Sequence, residues 1–113
     1  MNPELVFVYG TLKKGKSNHD LLRGAKFLNT AELMGAKMYS LGHYPAIKVG
    51  DGRIHGEVYE VPTQAIMDRL DRLEGHPVFY RREIVTLCTR QEAWTYFLVE
   101  SAERYPVIPS GIW

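Results

Sequence analysis

The stretch VFVYGTLKKGKS, residues 6–17, sets two readings of the chain against each other. Leu5 to Tyr9 is an unbroken apolar run of strand length, and Gly10 ends it. Gly10 to Ser17 then fits G-x-x-x-x-G-K-S, the pattern of a phosphate-cradling loop. Such a loop works when a long helix starts at the lysine, so that its amides and dipole meet the phosphates. Here Gly24 leaves only Asn18 to Arg23 for that helix, about a turn and a half. No later apolar strand closes on an aspartate that would hold magnesium. A nucleotide site through Lys16 and Ser17 is therefore not the expectation. What survives is a strand that stops at Gly10 and presents the N–H groups of Thr11 and Leu12, donors suited to a carboxylate or a developing oxyanion. A tight turn with solvated Lys13, Lys14 and Lys16 is the plainer reading of the same residues.

The rest of the chain reads as a meander of strands around one helix. Lys26–Met34 and Ala36–Leu41 have strand character with a break at Gly35, and Tyr44–Val49 is a further short strand before a turn at Gly50-Asp51-Gly52. Ile54–Val61 alternates and stops at Pro62, with Gly56 marking a bulge or a close backbone approach. Tyr80–Cys88 and Ala93–Glu100 read as a hairpin across TRQE, residues 89–92, and the tail YPVIPSGIW, with its two prolines, as irregular. Many strands with one main helix and a shorter one near Asn18–Arg23 make a small α+β fold with a curved or barrel-like sheet.

The main helix carries the most informative residue. Thr63 is its N-cap and Gly75 its stop. At about 100° per residue, Leu73, Ile66, Leu70 and Met67 share one arc. Glu74 falls inside that arc, while Asp68, Arg69, Asp71 and Arg72 fall on the opposite, solvent side. A carboxylate on a core-facing stripe is costly to desolvate, and the negative end of the helix dipole also disfavours its charge. Both effects raise its proton affinity towards neutrality, as general acid/base work requires. The alternative is that Glu74 frays outward or pairs with Arg81 or Arg82.

Composition excludes several classes. At 113 residues the chain makes one domain, 1–113, with room for one core and one pocket. Fourteen Lys and Arg against thirteen Asp and Glu give no field for nucleic acid or an anionic membrane. His19, His43, His55 and His76 are scattered without metal-ligand spacing, so no metal is expected. Cys88 is the only cysteine; no internal disulfide can form, and its apolar neighbours point to a buried thiol in a reducing, cytoplasmic setting. The first residues fit neither a signal peptide nor a membrane span. No feature sets an oligomeric state.

FVYGTLKKG, HGEVYEV, LDRLEGHP followed by YRREIV, and the terminal SGIW together resemble the γ-glutamylcyclotransferase superfamily. Within it the N-terminal stretch is similar to γ-glutamylamine cyclotransferase, and the middle of the chain to small bacterial relatives without an assigned substrate. The resemblance implies a small mixed β-barrel flanked by helices. It implies that Tyr9, Gly10, Thr11 and Leu12 hold a glutamyl moiety largely through backbone groups, that Glu74 is the acid/base, and that Tyr80 lines the pocket. The implied reaction cyclises a γ-glutamyl amine or amino acid to 5-oxoproline and frees the amine, with no cofactor. A module of the same fold that binds a small acidic metabolite without turning it over is the alternative.

Overall fold

A computed structural model describes residues 4–113. Its sheet has six strands: β1 (Glu4–Val8), β2 (Lys26–Ser40), β3 (Pro45–Val61), β4 (Tyr80–Thr86), β5 (Glu92–Leu98) and β6 (Val107–Ile108). They lie in the order β4-β5-β1-β3-β2-β6. All pairs are antiparallel except β1 with β5, which run parallel at Val6 and Trp94. The helix α1 (Gln64–Glu74) connects β3 to β4, and a 3-10 helix (His19–Leu22) follows the loop after β1. No helix among the described residues is long and apolar enough to cross a membrane.

Alternation along β1 divides the core. Val6 and Val8 face α1, where they pack with Tyr59, Val61, Leu98 and the helix residues Ile66, Met67 and Leu70. Phe7 and Tyr9 face the other way, into a second cluster with Leu33, Met38, Ile47, Ile54 and Val58. No helix belongs to that second cluster, so the sheet must curl over it to exclude water, the barrel-like half of an α+β fold. The ladder remains open, with β4 and β6 at its edges among the described residues.

Several elements differ from the sequence reading. Gly50-Asp51-Gly52 is not a turn: Met34 pairs with Arg53 and Ala36 with Val49, so three residues of β3 bulge opposite Gly35 alone. Pairing with β2 on both sides of the glycines carries β3 through what looks locally like a break, and Lys37 ties the bulge to Asp51 at 3.3 Å. Gly35 likewise interrupts the register of β2 without ending the strand. Gly56 is a close approach, since a Cβ there would lie 2.5 Å from the Val8 carbonyl oxygen. The tail is not wholly irregular, because Val107 and Ile108 pair with Tyr39 and Met38. Cys88 is exposed rather than buried: β4 ends at Thr86, and Cys88 lies beyond it in the hairpin loop, its Sγ accepting from the Glu32 N–H at 3.3 Å.

The helix caps are as expected. Thr63 accepts from the Ile66 N–H at 3.3 Å, and Gly75 closes α1 at φ 65°. Leu73, however, is exposed although it belongs to the apolar stripe. The stripe runs past the packed core at its last turn, and Leu73 and Glu74 both face a cavity instead.

Candidate active site

That cavity, of about 350 Å³, opens where four segments meet. The end of β1 and its loop contribute Tyr9, Gly10, Thr11 and Leu12; the end of α1 contributes Glu74. Phe79 lies just before β4 and Tyr80 opens it, Tyr96 comes from β5, Tyr44 from the β2–β3 connection and Pro45 from the start of β3. The six residues singled out in the sequence thus line one space, although Glu74 and Tyr9 are far apart in the chain. Ser17 and Asn18 line it too, but only the short 3-10 helix follows them, without the long helix a phosphate loop needs.

The loop is held in one conformation by its carbonyls. Gly10 O accepts from the Lys13 N–H at 3.1 Å, and Thr11 O from the Asn18 N–H at 2.9 Å. The His19 Nδ1–H donates to Leu12 O at 2.9 Å. In a trans-planar peptide the N–H of the next residue points opposite to each carbonyl. Thr11 and Leu12 accordingly turn their N–H groups the other way, and among the described residues neither donates to a protein acceptor. The Thr11 hydroxyl accepts from Asn18 Nδ2 at 3.0 Å, which ties it into the loop. Gly10 is required here for space. A Cβ would sit 2.7 and 2.9 Å from the ring carbons of Pro45, the residue that opens β3.

Around the loop three tyrosines have their protons committed to the wall. Tyr9 OH donates to Tyr96 O at 2.8 Å, Tyr80 OH to Pro45 O at 2.7 Å, and Tyr96 OH to Asp71 Oδ1 at 2.7 Å. Burial, more than any neighbour, raises the proton affinity of all three well above the ordinary phenol range. They stay neutral, and towards the cavity their oxygens can only accept.

Glu74 is half-buried, and no donor among the described residues bonds its carboxylate. Desolvation comes first and the Asp71 carboxylate second in pushing its pKa up to about 7. The proposed pairing with Arg81 or Arg82 does not occur: Arg82 Nε donates to Asp71 at 3.0 Å, and Arg81 lies 3.7 Å from Glu83. Asp71 is the residue that the helical period misplaced. It stands on the nominal solvent side of α1, yet the β4–β5 hairpin folds over that flank and buries it between Arg82 and Tyr96. Arg69, also assigned to solvent, donates instead to the carbonyls of Leu21 and Arg23. Nothing local in the sequence reports these contacts, which join α1 to distant segments. Tyr96 and Tyr44 were visible only as two of seven tyrosines.

The arrangement offers free amide donors, neutral phenol acceptors and one carboxyl that exchanges a proton near neutrality, all around a space at the small end of ligand pockets. Residues 6–113 match the family described as Gamma-glutamyl cyclotransferase, AIG2-like. A Vibrio cholerae protein, provisionally named a gamma-glutamylcyclotransferase, is 40% identical over 110 residues, covering 96% of this chain and 94% of its own. The gamma-glutamylcyclotransferase family protein YtfP of Escherichia coli is 32% identical over 108 residues, at 96% and 94% coverage. An uncharacterised protein from Pyrococcus horikoshii has the same fold, with a TM-score of 0.84 and 32% identity over 96% of this chain and 88% of that one. On sequence and on fold, the chain belongs to the Gamma-glutamyl cyclotransferase, AIG2-like family.

Proposed function

We propose that the protein cyclises a γ-glutamyl amine or γ-glutamyl amino acid to 5-oxoproline and releases the free amine, with Glu74 as general acid/base. The observation that carries this reading is the meeting, in one small cavity, of a half-buried carboxyl and loop amides that find no partner among the described residues.

The reaction is an intramolecular aminolysis. The substrate α-ammonium first gives a proton to the Glu74 carboxylate, which a group with a pKa of about 7 accepts readily near neutrality. The freed amine attacks the γ-carbonyl carbon, a new C–N bond closes the lactam, and negative charge gathers on the carbonyl oxygen. The N–H groups of Thr11 and Leu12 are suited to that oxygen or to the substrate α-carboxylate. When the tetrahedral species collapses, the bond to the departing nitrogen breaks, Glu74 returns its proton there, and the ring nitrogen gives up the second proton of the former ammonium to the freed amine, which leaves a neutral lactam. One carboxyl thus serves both transfers, and no redox or hydrolytic step is involved. Tyr9, Tyr80 and Tyr96 offer lone pairs but no free protons, which suits them to an ammonium and leaves Glu74 without a competing phenolic donor. Folding the chain of the substrate into a near-attack geometry contributes further, since proximity in such reactions is worth about 7 kcal/mol or more.

Release of 5-oxoproline from a panel of γ-glutamyl compounds tests the reading directly. Binding of those compounds without product would favour the metabolite-binding module instead. Two variants probe the parts. Thr11→Ala removes a hydroxyl that serves the loop through Asn18, so kcat/KM is expected to fall by less than about tenfold, in line with one lost hydrogen bond. Complete loss would give the hydroxyl a direct role. Asp71→Asn removes the anion beside Glu74, so the acid limb of the pH–rate profile is expected to move to lower pH. The shift should be partial, because burial is the larger cause. An unmoved limb would mean that burial alone sets the proton affinity of Glu74.

A further inference from the structure

The motif HGEVYEV, residues 55–61, takes no part in the mechanism above, yet two of its side chains reach the loop that does. Glu57 pairs with Val8, the last residue of β1, so it stands where the chain leaves the sheet for Gly10. Tyr59, two residues on and on the same face, is buried in the core that α1 covers. One oxygen of the half-buried Glu57, Oε1, accepts from the Lys14 N–H at 3.0 Å and from the Tyr59 hydroxyl at 2.9 Å. Neither residue lines the cavity.

Among the described residues, the bond from Lys14 to Glu57 is the only hydrogen bond between residues 10–17 and a strand. The others join the loop to itself, to Asn18 and the 3-10 helix, or to Trp113. Gly10 O and the Lys13 N–H close a turn whose two central residues are Thr11 and Leu12, the source of the amides that find no protein acceptor. β1 fixes one end of that turn. Glu57 fixes the other, at the residue that follows its closure, and a carboxylate holds a backbone N–H about twice as strongly as a neutral acceptor does. Lys14 is held a second time, with Nζ 3.7 Å from the centre of the Phe27 ring, which meets Tyr59 edge-on at 5.6 Å. Tyr59 also packs against His19, ring centres 6.0 Å apart, and His19 holds the Leu12 carbonyl. Burial first, and Glu57 second, raise the proton affinity of the Tyr59 phenol, so its hydroxyl remains a donor that orients the carboxylate.

Resting on the γ-glutamyl reading above, we infer that Glu57 is a positioning residue for the reaction: its carboxylate, oriented by Tyr59, latches the loop to β3 at Lys14 and so holds the Thr11 and Leu12 N–H groups in place opposite Glu74. The role requires an acceptor oxygen and no proton transfer, which separates it from that of Glu74.

The test sets Glu57→Ala against Glu57→Gln in the full chain, with 5-oxoproline release from the γ-glutamyl panel as the assay. Glu57→Ala frees the Lys14 end of the turn, and kcat/KM is expected to fall by more than about tenfold, towards the hundredfold of a 1 Å misplacement. Glu57→Gln keeps an oxygen for both donors and should stay within about fivefold of the wild type, the scale of one weakened hydrogen bond. The acid limb of the pH–rate profile should not move in either variant, because neither alters the surroundings of Glu74. Amide hydrogen exchange supplies a readout without turnover: in the wild type the Lys14 N–H should exchange at least about tenfold more slowly than those of Thr11 and Leu12, and Glu57→Ala should abolish that protection. Turnover by Glu57→Ala within tenfold of the wild type, a Glu57→Gln no faster than Glu57→Ala, or a displaced acid limb would each overturn the inference. So would a Lys14 amide that exchanges as fast as its neighbours in the wild type, a result that needs no variant to fold. No product from the wild type, with Lys14 protected and then released as expected, would overturn the γ-glutamyl reading and leave the latch standing.

Discussion

Glu74→Gln is expected to lose 5-oxoproline release by at least about a thousandfold while the protein remains folded. The amide is nearly the same shape but can neither take the α-ammonium proton nor return one to the leaving nitrogen, and general acid/base catalysis supplies about 10²–10⁴-fold. Turnover within tenfold of the wild type would remove Glu74 from the mechanism. The same variant makes a second prediction that does not depend on activity. The folded-state pKa of Glu74 is raised from near 4.5 to about 7, so between those values the native chain holds a proton that the unfolded chain has released. Stability is lost wherever the native state binds more protons as pH rises. The stabilising effect of the protonated carboxyl is therefore fully present below about pH 4.5 and gone once pH has passed about 7. At about 1.4 kcal/mol per pH unit, the loss amounts to as much as about 3 kcal/mol. Glu74→Gln lacks this slope. The difference in unfolding free energy between variant and wild type, measured by denaturant titration, should grow across that window in favour of the variant and then stay level. A difference independent of pH would mean that the carboxyl is not desolvated in the native protein.

Gly10→Ala is expected to impair both stability and turnover. Its Cβ would meet the Pro45 ring at 2.7 and 2.9 Å, inside any tolerable contact, and neither partner is the free end of a flexible side chain. Relief requires the loop to lift from the start of β3. Overpacking of this kind costs about 1–3 kcal/mol. Lifting the loop also moves the N–H groups of Thr11 and Leu12 relative to Glu74, and separates the loop from Pro45, whose carbonyl anchors Tyr80. A displacement near 1 Å in a positioning element costs about a hundredfold in rate. Unfolding midpoints together with kcat/KM check both parts. Wild-type turnover in a destabilised Gly10→Ala protein would show that the amides take no part in holding the reacting groups.

The two variants bear on different kinds of information. Glu74 is legible in the sequence because a helix has a fixed period, and a carboxyl that falls among Ile66, Met67 and Leu70 violates it visibly. Gly10 is legible as the end of a strand, though not for the reason that matters in the folded chain, which is the ring of a residue on another strand. The same limit explains the errors. Gly50-Asp51-Gly52 carries every local mark of a turn, and pairing to β2 on both flanks overrides it. Cys88 has apolar neighbours in the chain but none packed over it, because the strand has already ended.

What the chain determined by itself, then, is whatever repeats along a single element or interrupts it: the first strand and its loop, the one long helix with both caps, the β4–β5 hairpin, and the identity of the misplaced carboxyl. The tertiary structure alone decided what stands beside that carboxyl. Asp71 enters its surroundings because Arg82 and Tyr96 fold across the helix flank, and Tyr44, Leu73 and Phe79 reach the cavity from three segments. The physical reason is that periodicity records which way a side chain leaves its own element, whereas desolvation, hydrogen bonding and charge depend on what other elements bring to meet it.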